Sequence, residues 1–228
     1  MITIAIDGHA GAGKSTAAKA LARALGLVYL DTGAMYRMMG LKALRQGADP
    51  GDEAAVLPML ESTRIEVVAE GGEQRFLLDG EDVSSAIRTA ECGMAASAVS
   101  AIPAVREKLV ALQQQIARGA NVVMDGRDIG TVVLPNAKYK FFVTASPAVR
   151  AQRRYQELVE KGLPAKPVKE LEAEIEKRDY DDSHRAHSPL RQAEDAEYID
   201  TTGMSAQEVI DHMLRRVQEG EAGHDQIV

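Results

Sequence analysis

A lysine and a hydroxyl stand side by side, Lys14 and Ser15, at the end of the glycine-punctuated run Gly8-His9-Ala10-Gly11-Ala12-Gly13. Such a run lets the main chain curl so that successive N–H groups and a helix N-terminus face one anion. A lysine at this spacing reaches the β and γ phosphates of a nucleoside triphosphate, and the neighbouring hydroxyl is placed to ligate the Mg²⁺ that bridges them. Gly8, His9, Ala10, Gly11, Ala12, Gly13, Lys14, Ser15 and Thr16 are therefore expected to form a phosphate-binding loop, with the His9 side chain pointing outward.

A second group with chemical potential is Val122-Val123-Met124-Asp125-Gly126-Arg127-Asp128, an apolar strand delivering acids and an arginine. Asp125 has two readings: it holds a water of the Mg²⁺ shell, or it caps its turn. Arg127 suits a phosphate, and Asp128 suits a hydrogen-bond donor on an acceptor molecule; alternatively the two pair within their own loop. Arginines are also dense further on. Arg150, Arg153 and Arg154 lie at helical spacing, as do Arg178, Asp182 and Arg185, and planar guanidinium groups suit a transferring phosphoryl group whose charge is spread over three oxygens. Gly162-Leu163-Pro164-Ala165-Lys166-Pro167 separates the two sets and has the composition of a short lid's hinge.

These groups need a frame that gathers them. Short apolar runs, Ile2 to Ile6, Val28 to Leu30, Val122 to Met124, Lys140 to Val143 and Tyr198 to Ile199, alternate with helical patterns, which is the rhythm of a parallel sheet covered on both faces. The strands' C-terminal ends would bring the glycine-rich loop, Asp31, the Asp125 to Asp128 turn and the loop after Val143 to one rim. Gly26 should close the first helix, Pro103 should open one running toward Arg118, Ser146-Pro147 one running toward Gly162, and Ser205 the last. Arg64 to Glu70 and Arg75 to Asp79, separated at Glu70-Gly71-Gly72-Glu73, read as an antiparallel hairpin, with a second turn at Asp79-Gly80-Glu81-Asp82. The expected architecture is α/β: a five-stranded parallel sheet flanked by helices, with a small antiparallel β insertion and a short lid.

Composition is that of an ordinary globular chain: 228 residues, 45% apolar, 27% charged. The net charge of −7 argues against broad nucleic-acid or anionic-membrane binding. The chain opens directly on a core strand and no segment is apolar enough to span a bilayer, so the expectation is a cytoplasmic protein without a leader. The single cysteine, Cys92, reads as a buried small apolar residue.

Several segments together are specific: IDGHAGAGKST at Ile6 to Thr16, LDTGAMYR at Leu30 to Arg37, DGEDVSSAIRT at Asp79 to Thr89, PAVREKL at Pro103 to Leu109, DGRDIGTVV at Asp125 to Val133 and RDYDDSHR at Arg178 to Arg185. On these the chain resembles the bacterial cytidylate kinases of the nucleoside monophosphate kinase superfamily, over nearly its whole length. The resemblance implies transfer of the ATP γ-phosphate, with Mg²⁺, to CMP or dCMP. It implies one P-loop kinase domain, with a core of residues 1–61, 89–149 and 190–219, a CMP-side insertion at about 62–88, a lid and arginine segment at about 150–188, and a frayed tail at 220–228.

Carried over position by position, the resemblance puts Thr32, Ser97, Arg106 and Asp128 around the cytosine and Asp182 near the ribose. Thr32 stands where the family often has serine. Arg37, Arg127 and Arg185 would grip the acceptor phosphate, Arg178 the transferring group, and Arg154, or else Arg150 or Arg153, the ATP phosphates. Lys14, Arg127, Arg178 and Arg185 form the implied catalytic set, Ser15 and Asp125 the metal set. A carboxylate facing the cytosine N4 amino group favours CMP over UMP. No general base is required, since a phosphate monoester's second pKa is ~6. A P-loop kinase for another acceptor (UMP, AMP or shikimate) and a regulatory NTPase are the alternatives; no NKxD-like guanine-reading segment supports the latter. The enzyme is expected to be a monomer acting on small molecules.

Overall fold

The structure is a computed structural model that describes residues 1–70 and 73–222. In chain order, β1 (Thr3–Gly8), α1 (Lys14–Leu25) and β2 (Val28–Asp31) lead into α2 (Thr32–Arg45), α3 (Glu53–Ser62), β3 (Ile65–Glu70), β4 (Glu73–Leu78), β5 (Glu81–Asp82), α4 (Ala90–Val99) and α5 (Pro103–Ala117). The chain then returns through β6 (Val122–Gly126), β7 (Tyr139–Thr144), α6 (Pro147–Glu160), α7 (Val168–His184), β8 (Glu197–Asp200) and α8 (Ala206–Ala222). It divides into two compact units, one built from the stretch up to Tyr29 together with that from Asn121 onward, the other from Leu30 to Ala120.

The main sheet has five strands in the order β2-β6-β1-β7-β8. β1 lies parallel to β6 and β7, with Ile4 opposite Val123 and Tyr139, and β8 continues parallel to β7. Ile4, Ala5 and Ile6 are all fully buried. Burial of consecutive residues on both faces requires apolar cover on both sides, which explains the unbroken apolar strands. One face packs Ala17, Ala18 and Leu21 of α1 and Val209, Met213 and Val217 of α8 against Ile4, Ile6, Val123, Phe141 and Val143. Each fully buried Ile, Leu or Val there contributes about 1.5–3 kcal/mol. α1 closes on Gly26, whose N–H bonds Ala22 O.

In the second unit α2 is buried on nearly every side, through Ala34, Met35, Met38, Met39 and Ala43. Asp31 caps it by accepting the Ala34 N–H. The β3–β4 hairpin pairs Val67 with Phe76, and β5 adds a third antiparallel strand with Leu77 opposite Asp82. The turn between β4 and β5 puts Asp79 in the left-handed region (φ 52°), where its carboxylate accepts the Arg64 N–H and the Lys42 ammonium, each at 2.8 Å. The expected turn from Glu70 to Glu73 passes through Gly71 and Gly72, outside the described residues. Cys92 is buried, as read from the sequence.

One local feature was not read from the sequence, and another differs from the sequence reading. The segment after Asp128 winds into a π-helical turn, Ile129–Val133. At the C-terminus α8 continues to Ala222, inside the stretch read as a tail, because Glu221 accepts a hydrogen bond from the Tyr139 hydroxyl (2.6 Å) and is paired with Lys138 (2.7 Å). Residues 223–228 lie outside the described residues.

Candidate functional site: a phosphate loop and its arginines

Within the first unit, the loops after β1, β6, β7 and β8 leave the sheet at its C-terminal edge. At Gly8 (φ 138°) a Cβ would lie 1.8 Å from Val143 O. Only glycine lets β1 run this close to β7 before the chain turns, and the next N–H, that of His9, bonds the same carbonyl at 3.3 Å. The loop re-enters helix at Lys14, capped by Gly13.

The Lys14 ammonium is buried and donates to His9 O at 2.6 Å. Burial, then the Arg127 charge, push its pKa well below the ordinary lysine value, with Asp125 and Asp7 opposing and Arg178 adding to the depression. Cations packed this closely repel one another, and a polyanion among them reverses that cost.

Behind the loop the Ser15 hydroxyl donates to Asp125 Oδ2 at 2.7 Å, and the Tyr29 hydroxyl to Asp125 Oδ1 at 2.7 Å. This buried carboxylate is aimed by two hydroxyl donors, and its neighbours present hard oxygen atoms. That chemistry fits Mg²⁺, which keeps several waters and phosphate oxygens and takes only one or two protein ligands. No cluster of three or more His, Cys, Asp or Glu able to cage a metal occurs among the described residues.

His9 differs from expectation. Its Nδ1 is 2.9 Å from the Thr144 hydroxyl and its ring meets Phe142 edge-on at 5.9 Å. The side chain folds back onto β7 because an aromatic edge and a hydroxyl lie within reach there. Burial lowers its pKa, with Asp179 opposing and Arg150, Arg127 and Lys14 reinforcing.

Arg127 extends from the end of β6 to Asp182 of α7, with Nε 2.8 Å from Oδ2, and a second donor reaches Gly126 O. Burial works against ionisation of Asp182, yet Arg127, followed by Arg178 and Arg185, holds its carboxyl below the usual range. Arg127, Arg178, Asp182 and Arg185 therefore form one charge cluster around the C-terminal half of α7, where Arg185 Nε also donates to Ser188 O. Asp128 is buried at the start of the π-helical turn, and its carbonyl accepts the N–H groups of Val132 and Val133. His184 and His187 are exposed; the His184 ring stacks on Tyr180 at 3.9 Å.

The three arginines of α6 separate by role. Arg150 is almost fully buried, and its guanidinium donates to Ala145 O (2.7 Å), Ala10 O (3.2 Å) and both carboxylate oxygens of Asp179. Arg153 holds Thr201 O, the Thr201 hydroxyl and Met204 O. Arg154 pairs with Glu157 at 2.9 Å and keeps 40% of its side chain exposed. Two of the three are thus committed to the protein's own backbone and polar side chains.

The remaining expected residues belong to the second unit. Thr32 is buried at the start of α2. Arg37 lies 3.6 Å from Asp31, which also accepts the Arg88 guanidinium at 3.0 Å. Arg106 of α5 is buried over the Tyr36 ring at 5.4 Å and donates to Ser100 O. Ser97 is half-buried one turn before Ser100, whose hydroxyl donates to Ser97 O.

Sequence reasoning missed Asp7, Arg88, Asp179 and Thr201. Asp7 carried a usable signal, an acid at the end of a buried strand beside the glycine-rich loop. Asp179 lies next to Arg178, yet nothing in its spacing names Arg150, in another helix, as its partner.

A parallel sheet whose first strand runs into this loop, with Ser15 and Asp125 joined behind it and arginines at its rim, is that of a P-loop kinase. Solved structures agree on the fold: a gluconokinase from Sinorhizobium meliloti (TM-score 0.51, 14% identity, 100% of this chain and 98% of that one) and an uncharacterized protein from Eubacterium ventriosum (TM-score 0.53, 12%, 96% and 99%). The family model described as Cytidylate kinase matches residues 4–219. Among curated relatives named cytidylate kinase, that of Mycobacterium leprae is 52% identical, covering 96% of each chain, and that of Caldicellulosiruptor bescii 51%, covering 93% of this chain and 94% of its own. This chain belongs to the cytidylate kinase family.

Proposed function

We propose that the chain transfers the γ-phosphate of ATP to CMP and dCMP, giving CDP and dCDP. The observation that carries this reading is the buried Asp128 on the same loop as the Asp182-bound Arg127, in a member of the cytidylate kinase family. The loop from Gly8 to Thr16 wraps the donor phosphates, and Arg154, the α6 arginine left partly exposed, meets them. Lys14 and Arg178 neutralise the transferring group, while Arg37, Arg127 and Arg185 hold the acceptor phosphate. Thr32, Ser97, Arg106 and Asp128 read the cytosine, and Asp182 receives the ribose.

Ser15, and Asp125 through water, would hold Mg²⁺, which when bound would supply charge neutralisation at the donor phosphates. The protein's part is positioning and electrostatic stabilisation in a site closed to water, and no side chain need remove a proton from an acceptor that is already mostly dianionic at neutral pH. We assign the enzyme to the cytoplasm as a monomer without nucleic-acid or membrane partners. The net charge of −7 supports the absence of nucleic-acid and anionic-membrane partners, and sedimentation at working concentration tests the oligomeric state.

The deciding experiment follows ADP formation from ATP and Mg²⁺ with CMP, dCMP, UMP, AMP or no acceptor, with the product identified as a diphosphate. A large rate dependent on CMP or dCMP, with little hydrolysis by water, is expected. Acceptor-independent hydrolysis, or a preference for AMP, overturns the acceptor assignment.

A further inference from the structure

Asp7 is the penultimate residue of β1, immediately before the phosphate loop, and only 4% of it is exposed. Both its carboxylate oxygens are engaged. Oδ1 accepts the Ile129 N–H and Oδ2 the Gly130 N–H, each at 2.7 Å. Those are the first two N–H groups of the π-helical turn, the kind of orphan donors that every helix start leaves open. Its far end is tied by the Val132 and Val133 N–H groups, which bond Asp128 O at 2.9 and 3.2 Å. Asp128 therefore sits at the junction of two sets of main-chain restraints, one of them made by a single distant side chain.

The packing leaves little slack. A Cβ on Gly130 would stand 3.3 Å from Asp7 Oδ2 and 3.2 Å from Lys140 Cδ, so a larger residue presses on the carboxylate and on the Lys140 chain, and one of them must give by a few tenths of an ångström. Asparagine at position 7 would avoid burying a charge, but its side chain offers one acceptor oxygen where two N–H groups need partners. The carboxyl is kept in spite of the burial that pushes it up to about 6. Its geometry gives a reason for that cost.

We infer that Asp7 is a positioning residue for base selectivity: by holding the Ile129 and Gly130 amides it sets the backbone from which Asp128 addresses the acceptor base, without itself touching substrate. The inference rests on the assignment of Asp128 to the cytosine. It implies that the CMP-over-UMP preference depends on a residue of the strand that opens the phosphate loop.

The test compares kcat/KM for CMP and for UMP in the wild type, Asp7→Asn, Gly130→Ala and Asp128→Asn, each with its Tm. Asp128→Asn should lower the CMP:UMP ratio most. Asp7→Asn and Gly130→Ala should each lower the same ratio by about tenfold, equivalent to about 1.4 kcal/mol, with a smaller effect on the KM for ATP. Gly130→Ala leaves the carboxyl in place, so it decides the matter if Asp7→Asn folds poorly. Equal loss on CMP and UMP in both variants means a purely structural role and overturns the inference. An unchanged ratio in both, while Asp128→Asn lowers it, also overturns it. An unchanged ratio in Asp128→Asn overturns the cytosine assignment itself, and the inference with it.

Discussion

Replacing Arg150 by methionine separates two accounts of α6. The side chain is 2% exposed, and its partner Asp179 is 16% exposed. Methionine keeps much of the volume but strands the Asp179 carboxylate and removes the donors from Ala145 O and Ala10 O. Breaking one side of a buried ion pair costs about 3–5 kcal/mol. The residual exposure of Asp179 places the expected loss near the lower end, about 3 kcal/mol, or a fall of about 6–12 °C in Tm for a chain of this size. Removing the carboxylate as well, in Arg150→Met/Asp179→Leu, should recover at least half of that loss, because no charge is left buried alone. Denaturant unfolding of the two single variants and the double variant gives the coupling energy directly. The KM for ATP should rise in Arg150→Met, since the carbonyl at Ala10 loses the group that ties the phosphate loop to α7. Additive losses in the cycle would refute the buried-strut account. If turnover instead fell by about two orders of magnitude, the usual loss for one preorganised donor, while Tm stayed unchanged, Arg150 would be meeting the transferring phosphates.

Lys14→Met should lower turnover by about 10²–10³, again the loss of one preorganised donor; because Lys14 is held among the charges of Arg127 and Arg178, the nucleotide-free variant should melt no lower than the wild type, which calorimetry checks. A marked drop in Tm would show that its bond to His9 O outweighs the repulsion. Asp7 supplies a pH dependence. With its pKa near 6 in the folded protein against 3.8 for the free group, the folded state holds this proton more tightly. The stability of the wild type relative to Asp7→Asn should therefore be highest below pH 4 and fall as pH rises to 6, by about 3 kcal/mol in total. Unfolding titrations of the pair at pH 4, 5, 6 and 7 read this slope, and a flat difference refutes the burial of that carboxyl.

Much of the frame is local and was legible in the chain. Unbroken apolar runs such as Ile4-Ala5-Ile6 announce strands covered on both faces, Gly13 followed by Lys14 announces a loop opening a helix, and the Arg64 to Asp82 stretch announces a hairpin and a further turn. These follow from backbone sterics and from the period of apolar residues, which act over a few positions. That Ser15 and Asp125 would come together was also legible, because a strand end and a loop end meet at the rim of any parallel sheet.

The partners of the long polar side chains were decided only in three dimensions. Helical spacing puts Arg150, Arg153 and Arg154 near one another but says nothing of the carbonyls at Ala10, Ala145 and Thr201, which come from three other segments. His9 turned inward because Thr144 and Phe142 of β7 lie beneath it, and the register of β1 against β7 sets that contact. Asp7 found two amides on the far side of the chain's length, at a π-helical turn that no local propensity marks. A sequence determines what each segment prefers to be; which buried donor meets which acceptor is settled by packing, where an unpaired buried polar group costs about 1–3 kcal/mol and each side chain is driven to whatever partner the assembled fold puts within reach.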